Sequence, residues 1–223
     1  MSDNRPAVLF DIDGTLVDSN YLHVHAWIRA FREVDVPIEA WRIHRAIGVD
    51  GGTLLENLAP DADDDTRSQL KDRHSTYYQE TTGLLRVLPG GRDVLQRVAD
   101  LGLQVVLATS APEDELAILR DLLDREDVYS TLTSSGDVET AKPEPAIVEI
   151  ALERAGVPAD RAVFVGDSVW DVEAANRAGV ATIGLQSGGV SREELETAGA
   201  VAVYENAAEL AERLADSPIG ELT

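Results

Sequence analysis

Six short apolar runs constrain this chain most. They fall at residues 7–10, 104–108, 131–134, 162–165, 181–185 and 200–203, and are rich in Val, Leu, Ile and Ala. Each is short, as a strand buried on both faces should be, and such strands mark a parallel sheet. The stretches between them carry helical spacing. In 112–122 and just beyond, Leu116, Leu119 and Leu123 share a face. The stretch 143–155 has proline in its predicted first turn and stops at Gly156. Asp171, Ala174, Ala175 and Ala178 form a stripe of short side chains ending at Gly179, which lets a helix lie close against a sheet. The expected class is α/β, a mostly parallel sheet with helices on both faces.

One segment breaks the rhythm. Between about Val17 and Leu88 there is no run of the buried-strand type, and four helical stretches are predicted instead, at 21–34, 38–46, 53–58 and 64–81. Breaks fall at Val36-Pro37, Gly51-Gly52, Pro60 and Thr82-Gly83, and Leu88-Pro89-Gly90-Gly91 marks the return. The expected organisation is a core of residues 1–16 and 89–223 with a helical cap, 17–88, inserted after the first strand. With 223 residues, 44% of them hydrophobic, the chain can fill a core and a smaller companion.

Composition excludes several chemistries. There is no cysteine, so disulfides, thiolate nucleophiles and cysteine-bound zinc are ruled out. A formal net charge of −22 repels nucleic acid and anionic membrane. No apolar run approaches the ~20 residues of a membrane helix, and the opening residues do not read as a signal peptide. A cytoplasmic protein is expected, a monomer by default. The only lysines are Lys71 and Lys142; an acidic, lysine-poor surface suits a salt-rich cytoplasm, where repulsion is screened, with a high-GC genome as the alternative origin.

The chemistry concentrates at strand ends, where open α/β sheets bind ligands. Phe10-Asp11-Ile12-Asp13-Gly14-Thr15 follows the first predicted strand. A short turn can aim both carboxylates at one place, and Gly14 permits that turn. Two close carboxylates need compensation, which a hard cation such as Mg²⁺ supplies beside phosphate. One carboxylate can then attack as a nucleophile, and the other can give and take a proton. Thr109 offers a hydroxyl at the second strand end, and Ser110 is the expected N-cap of the next helix, with Glu113 completing a capping box. Lys142, before Pro143, can hold phosphoryl oxygens and offset charge on Asp11. Asp167 and Asp171, four residues apart after the fourth run, can complete a Mg²⁺ shell.

In order, these segments resemble the haloacid dehalogenase-like superfamily, specifically its phosphoglycolate phosphatase and β-phosphoglucomutase-like group. The resemblance rests on Asp-x-Asp-Gly-Thr at 11–15, Thr109, Lys142 before its proline, and Gly-Asp-Ser-x-x-Asp at 166–171. It implies a Rossmann-like sheet with a helical cap and a small phosphorylated metabolite as substrate. By resemblance Asp11 attacks phosphorus, Asp13 is general acid then base, and Thr109, Ser110 and Lys142 bind phosphate. Mg²⁺ is then held by Asp11, the main-chain carbonyl of Asp13, and Asp167, with Asp171 as ligand or supporting group. Asp13 argues for phosphate-ester chemistry, since dehalogenases of the superfamily generally lack it. His23 and Trp27 fit the mutases' His-x-x-x-Trp spacing. Two departures favour a hydrolase: Asp50 follows Gly48-Val49 where mutases usually carry arginine, and Gly166 stands where they tend to carry glutamate. The expected activity is hydrolysis of small phosphomonoesters of phosphoglycolate or sugar-phosphate type. A phosphomutase is the alternative, and a non-catalytic binding protein on the same scaffold a distant one.

Other residues read more plainly. His23 and His25 are expected on a helix surface or cap interface rather than as a metal pair, for want of a third ligand. Arg42, His44 and Arg45 could face the site, or form a solvated helix face. Trp27 and Trp41 read as packing residues. The acidic run 61–65 reads as a loop and helix start, without the closing pattern of a calcium loop.

Overall fold

The computed structural model describes residues 5–137 and 140–223; the opening residues 1–4, part of the start read above, lie outside it. Six parallel strands form one sheet: β1 (Ala7–Phe10), β2 (Gln104–Ala108), β3 (Thr131–Thr133), β4 (Ala162–Gly166), β5 (Ala181–Leu185) and β6 (Ala202–Tyr204), in the order β3-β2-β1-β4-β5-β6. Strand polarity explains the unbroken apolar runs. Val8, Phe10, Val105, Leu107, Val163 and Val165 face one way, into a cluster with Val94, Leu95, Val98, Leu116 and Leu210. Ala7, Leu9, Val106, Ala108 and Phe164 face the other, against Ile147, Val148, Ala151, Ala174 and Ala175. Each fully buried Val, Leu or Phe contributes about 1.5–3 kcal/mol, and a buried polar residue needs a partner: Gln104, at the start of β2, donates to Arg5 O at 2.8 Å and Ala155 O at 3.1 Å.

The covering helices are α5 (Gly91–Asp100), α6 (Glu113–Leu123), α7 (Ala146–Ala155), α8 (Val169–Arg177), α9 (Arg192–Ala198) and α10 (Ala207–Glu212). Two of them start later than their sequence suggests. Ser110 is not an N-cap: α6 begins at Glu113 after Pro112, which makes no side-chain cap. Proline disfavours helical backbone at the residue before it, here Ala111. The Ala111 N–H is instead taken by Thr109 Oγ1 at 3.1 Å. Likewise α7 starts at Ala146, because Pro145 holds Glu144 out of the helix; Glu144 closes a turn onto Ala141 O at 2.9 Å.

Between β1 and α5 come α1 (Asn20–Glu33), α2 (Ala40–Ala46), α3 (Gly51–Leu58) and α4 (Asp64–Thr81). The two chain passages into and out of this segment pair with each other. Leu88 N donates to Leu16 O at 2.9 Å, Asp18 N to Arg86 O at 2.9 Å, and Val17 bridges Val87. Helices α1 and α4 pack through Phe31, Leu70 and Tyr78, and are laced by Arg29–Glu80 at 2.5 Å and by Glu33 with Arg73 and Tyr77. Asp63 caps α4 through Thr66 N at 2.8 Å, so the acidic run is a helix start as read.

These helices lie over the carboxyl ends of the strands and touch the core there. His44 Nε2 is 2.9 Å from Gly188 O, Trp170 Nε1 donates to Arg45 O at 3.3 Å, and Arg45 pairs with Glu194. Arg42 pairs with Glu39 at 3.8 Å. The basic residues of α2 thus serve a seam and their own helix. Trp41 is 67% exposed while Trp27 is buried, so only one of the two is a packing residue.

Candidate active site

The strand order reverses on either side of β1, which leaves a crevice at the carboxyl edge between β1 and β4. Phe10 is in register with Leu107 on one side and Val165 on the other. Asp11, Thr109 and Asp167 therefore emerge at one edge. They line a cleft of about 960 Å³ under the inserted helices, together with Asp13, Ser110 and Lys142.

Lys142 is the centre of this arrangement. Its side chain is 1% exposed, with Nζ 2.8 Å from Asp11 Oδ1 and 2.7 Å from Asp171 Oδ1. A lone buried ammonium is costly; two carboxylates hold it charged, and their attraction outweighs the burial that would lower its pKa. Asp171 reaches this position from α8. Its Oδ2 accepts from Asp167 N, Ser168 N and Ser168 Oγ at 3.2, 3.0 and 2.7 Å. Ser168 Oγ in turn accepts from Asp171 N at 3.2 Å, closing a capping box. One carboxylate thus fixes the helix start and aims the lysine.

Asp167 is held by two donors the sequence reading did not assign to it. Thr15 Oγ1 donates to Oδ1 at 2.7 Å and Asn20 Nδ2 to Oδ2 at 2.9 Å. The packing leaves no slack: a Cβ on Gly188 would lie 1.7 Å from Asp167 Oδ2, and one on Gly14, whose φ is +72°, 2.4 Å from the same oxygen.

Oxygens of Asp11, Asp167 and Asp171 lie within 4.8 Å of one another, all buried. Three carboxylates face one ammonium there. Burial, together with Asp171 and Asp13 nearby, pushes Asp11 up to about 7 against the pull of Lys142. Burial, Asp171 and Asp11 push Asp167 well above the carboxylate range. An uncompensated pair of unit charges at 4 Å costs about 4 kcal/mol at an effective dielectric of 20. This all-oxygen, net-negative cluster fits a hard divalent cation such as Mg²⁺.

The Asp13 carboxylate does not join that cluster. It turns toward α1, accepting from Ser19 Oγ at 2.5 Å, with His23 Nε2 3.5 Å away. Burial alone would raise Asp13, but the hydrogen bond and charge of His23, with Ser19, hold it below its ordinary value. The same contact raises His23 despite its burial. His23 Nδ1 lies 3.1 Å from His74 Nε2, and its ring stacks on Tyr78 at 4.0 Å. Burial, then His23, holds His74 well below the imidazole range. His25 is exposed. A further polar group in the cleft, buried Glu115 on the first turn of α6, had no signal in the sequence: an acidic residue there ordinarily complements the helix dipole.

Known proteins bear out the resemblance. The profile of the haloacid dehalogenase-like hydrolases matches residues 6–179. A phosphoglycolate phosphatase of Rhodospirillum rubrum is 32% identical over 218 residues, covering 93% of this chain and 90% of that protein. A phosphorylated carbohydrates phosphatase of Thermotoga maritima is 31% identical over 179 residues, covering 79% and 83%. The crystal structure of a hydrolase from Pseudomonas syringae superposes with a TM-score of 0.91 at 34% identity, covering 95% of this chain and 99% of that one. With its strand-end aspartates, its buried lysine and a helical segment over the sheet edge, this chain belongs to the haloacid dehalogenase-like hydrolase family.

Proposed function

We propose that the protein is a Mg²⁺-dependent phosphatase of small phosphomonoesters, of phosphoglycolate or sugar-phosphate type, working through an aspartyl phosphate on Asp11. The observation that carries this reading is the buried constellation of Asp11, Lys142 and Asp167 at the switch point of the sheet. Asp11, Asp167 and the main-chain carbonyl of Asp13 would hold the ion, with Asp171 supporting them through Lys142. The bound ion would neutralise charge between the carboxylates and the phosphoryl oxygens.

Each residue then has a task. Asp11 Oδ attacks phosphorus, and the P–O bond to the leaving alcohol breaks in line. Lys142, Thr109 and Ser110 bind the equatorial phosphoryl oxygens, where negative charge is spread in the transition state. Asp13 protonates the leaving oxygen, then takes a proton from the water that hydrolyses the aspartyl phosphate. In the free protein Asp13 is held ionised by His23, so it is ready as a base. Its role as acid requires a proton, which an arriving phosphate dianion favours by raising its pKa; His23, 3.5 Å away with its own pKa raised by Asp13, is the nearest group that could supply one. The helices over the cleft exclude water and choose the substrate. The names of the similar proteins support this reaction class. Against the mutase alternative stands Gly166: a Cβ there would meet Asp171 Cβ at 2.5 Å, so the mutases' glutamate has no room beside Asp171.

The test is phosphate release from a panel of phosphorylated metabolites, with Mg²⁺ and with chelator. Release that needs the metal supports the reading. No release from any ester, with isomerisation of a sugar phosphate in the presence of a bisphosphate primer, would replace it with the mutase.

A further inference from the structure

Glu115 is 4% exposed, lines the cleft, and has no hydrogen bond or ion pair among the described residues. The residue is largely withdrawn from water yet faces the cleft without a protein donor, and burial pushes its pKa up to about 7. Its electrostatic neighbours are His23, Asp13 and Asp114, and not Lys142. It therefore stands on the acid/base side of the cleft, where the leaving alcohol departs, and away from the phosphate-binding lysine. The wall around it is acidic as well. Beyond the phosphate pocket the cleft is lined by Asp50, Glu56, Asp72, Asp114 and Glu144, with Lys71 as the one added ammonium. Lys71 is not among the groups that act on Glu115, and the carboxylates outnumber it even with Glu144 paired to Arg177 at 2.7 Å.

We propose that Glu115 determines specificity by accepting hydrogen bonds from hydroxyls of the leaving alcohol, so that the preferred substrates are phosphorylated sugars or polyols and esters bearing a carboxylate are rejected. The inference rests on the phosphatase reading and narrows it. A hydroxyl supplies the donor that Glu115 lacks; the carboxylate of phosphoglycolate brings a further negative charge beside Glu115, Asp13 and Asp114. The cleft, at about 960 Å³, also has far more room than a two-carbon acid fills. A hydrogen bond to a charged group corresponds to about tenfold to a hundredfold in affinity, and that is the discrimination expected from one residue.

The experiment measures kcat/KM of the Mg²⁺-loaded enzyme for hexose and pentose phosphates, glycerol phosphate, 2-phosphoglycolate and p-nitrophenyl phosphate. The wild type is expected to favour the best polyol ester over phosphoglycolate tenfold or more. Glu115→Gln and Glu115→Ala should each reduce that ratio at least tenfold, with Gln, which still accepts a hydrogen bond, losing less polyol activity than Ala. Because the ratio is taken within one preparation, any loss of folded protein cancels. A wild type that prefers phosphoglycolate, or a ratio unmoved in both variants, overturns the inference while leaving the phosphatase reading intact. Failure to hydrolyse any ester, the aryl phosphate included, removes the phosphatase reading and this inference with it.

Discussion

Replacing Lys142 by methionine tests the electrostatics of the site apart from any substrate. Methionine keeps most of the length and apolar volume of the lysine, so the packing penalty is small. What is lost is the ammonium 2.8 Å from Asp11 and 2.7 Å from Asp171. Removing one partner of a buried ion pair costs about 3–5 kcal/mol, because the remaining charge stays buried without compensation. Against a total stability of about 5–15 kcal/mol, that is a large fraction. The carboxylates can escape the cost by binding protons. Asp11 is already pushed up to about 7 with the lysine in place, and goes higher without it. The folded variant then binds more protons than the folded wild type, so its stability falls faster as pH rises. Urea unfolding in chelator should therefore give a deficit of about 3–5 kcal/mol at pH 8, shrinking to about 1 kcal/mol near pH 5. Added Mg²⁺ should recover part of the loss at pH 8 by supplying the missing positive charge. A deficit below about 1 kcal/mol at pH 8, or one equal at both pH values, would refute the reasoning.

Three further outcomes follow from the same structure. Asn20→Ala removes the donor 2.9 Å from Asp167 Oδ2 and should weaken Mg²⁺ binding about tenfold to a hundredfold by calorimetric titration, with little change in far-ultraviolet circular dichroism. The Glu115 carboxyl, raised by burial to about 7, contributes stability that is present below its unfolded pKa and lost as pH rises through 7. Glu115→Gln should accordingly be more stable than wild type at pH 8, by at most about 3 kcal/mol, and show no such advantage at pH 4. Finally, a net charge of −22 should make the thermal midpoint rise between low and molar salt; a flat profile would leave the acidic surface without a role in salt adaptation.

The fold was largely legible because the sheet is buried on both sides. Strands β1, β2 and β5 fall on the apolar runs at 7–10, 104–108 and 181–185, and α4 on 64–81. Local signals misled at Ser110, where a capping box seemed to start a helix, and at Pro143, where proline seemed to mark a first turn; helical backbone starts later at both. The strand-end motif residues also converge as their positions at the sheet edge required. Long-range pairings stayed hidden. Nothing near Asn20 signals that it reaches Asp167, 147 residues away, or near Asp171 that one oxygen holds a helix start while the other meets Lys142. His23 looked like a helix-surface or interface residue; only the crossing of α1 and α4 puts it between Asp13 and His74.

The central claim is that Asp11 carries the phosphoryl group. The measurement is rapid acid quench of enzyme, Mg²⁺ and a labelled substrate, followed by peptide mapping of the protein-bound label. The account predicts label on the peptide containing Asp11 during turnover, and none, with no turnover, for Asp11→Asn. Turnover retained in that variant, or label bound at another residue, would contradict it.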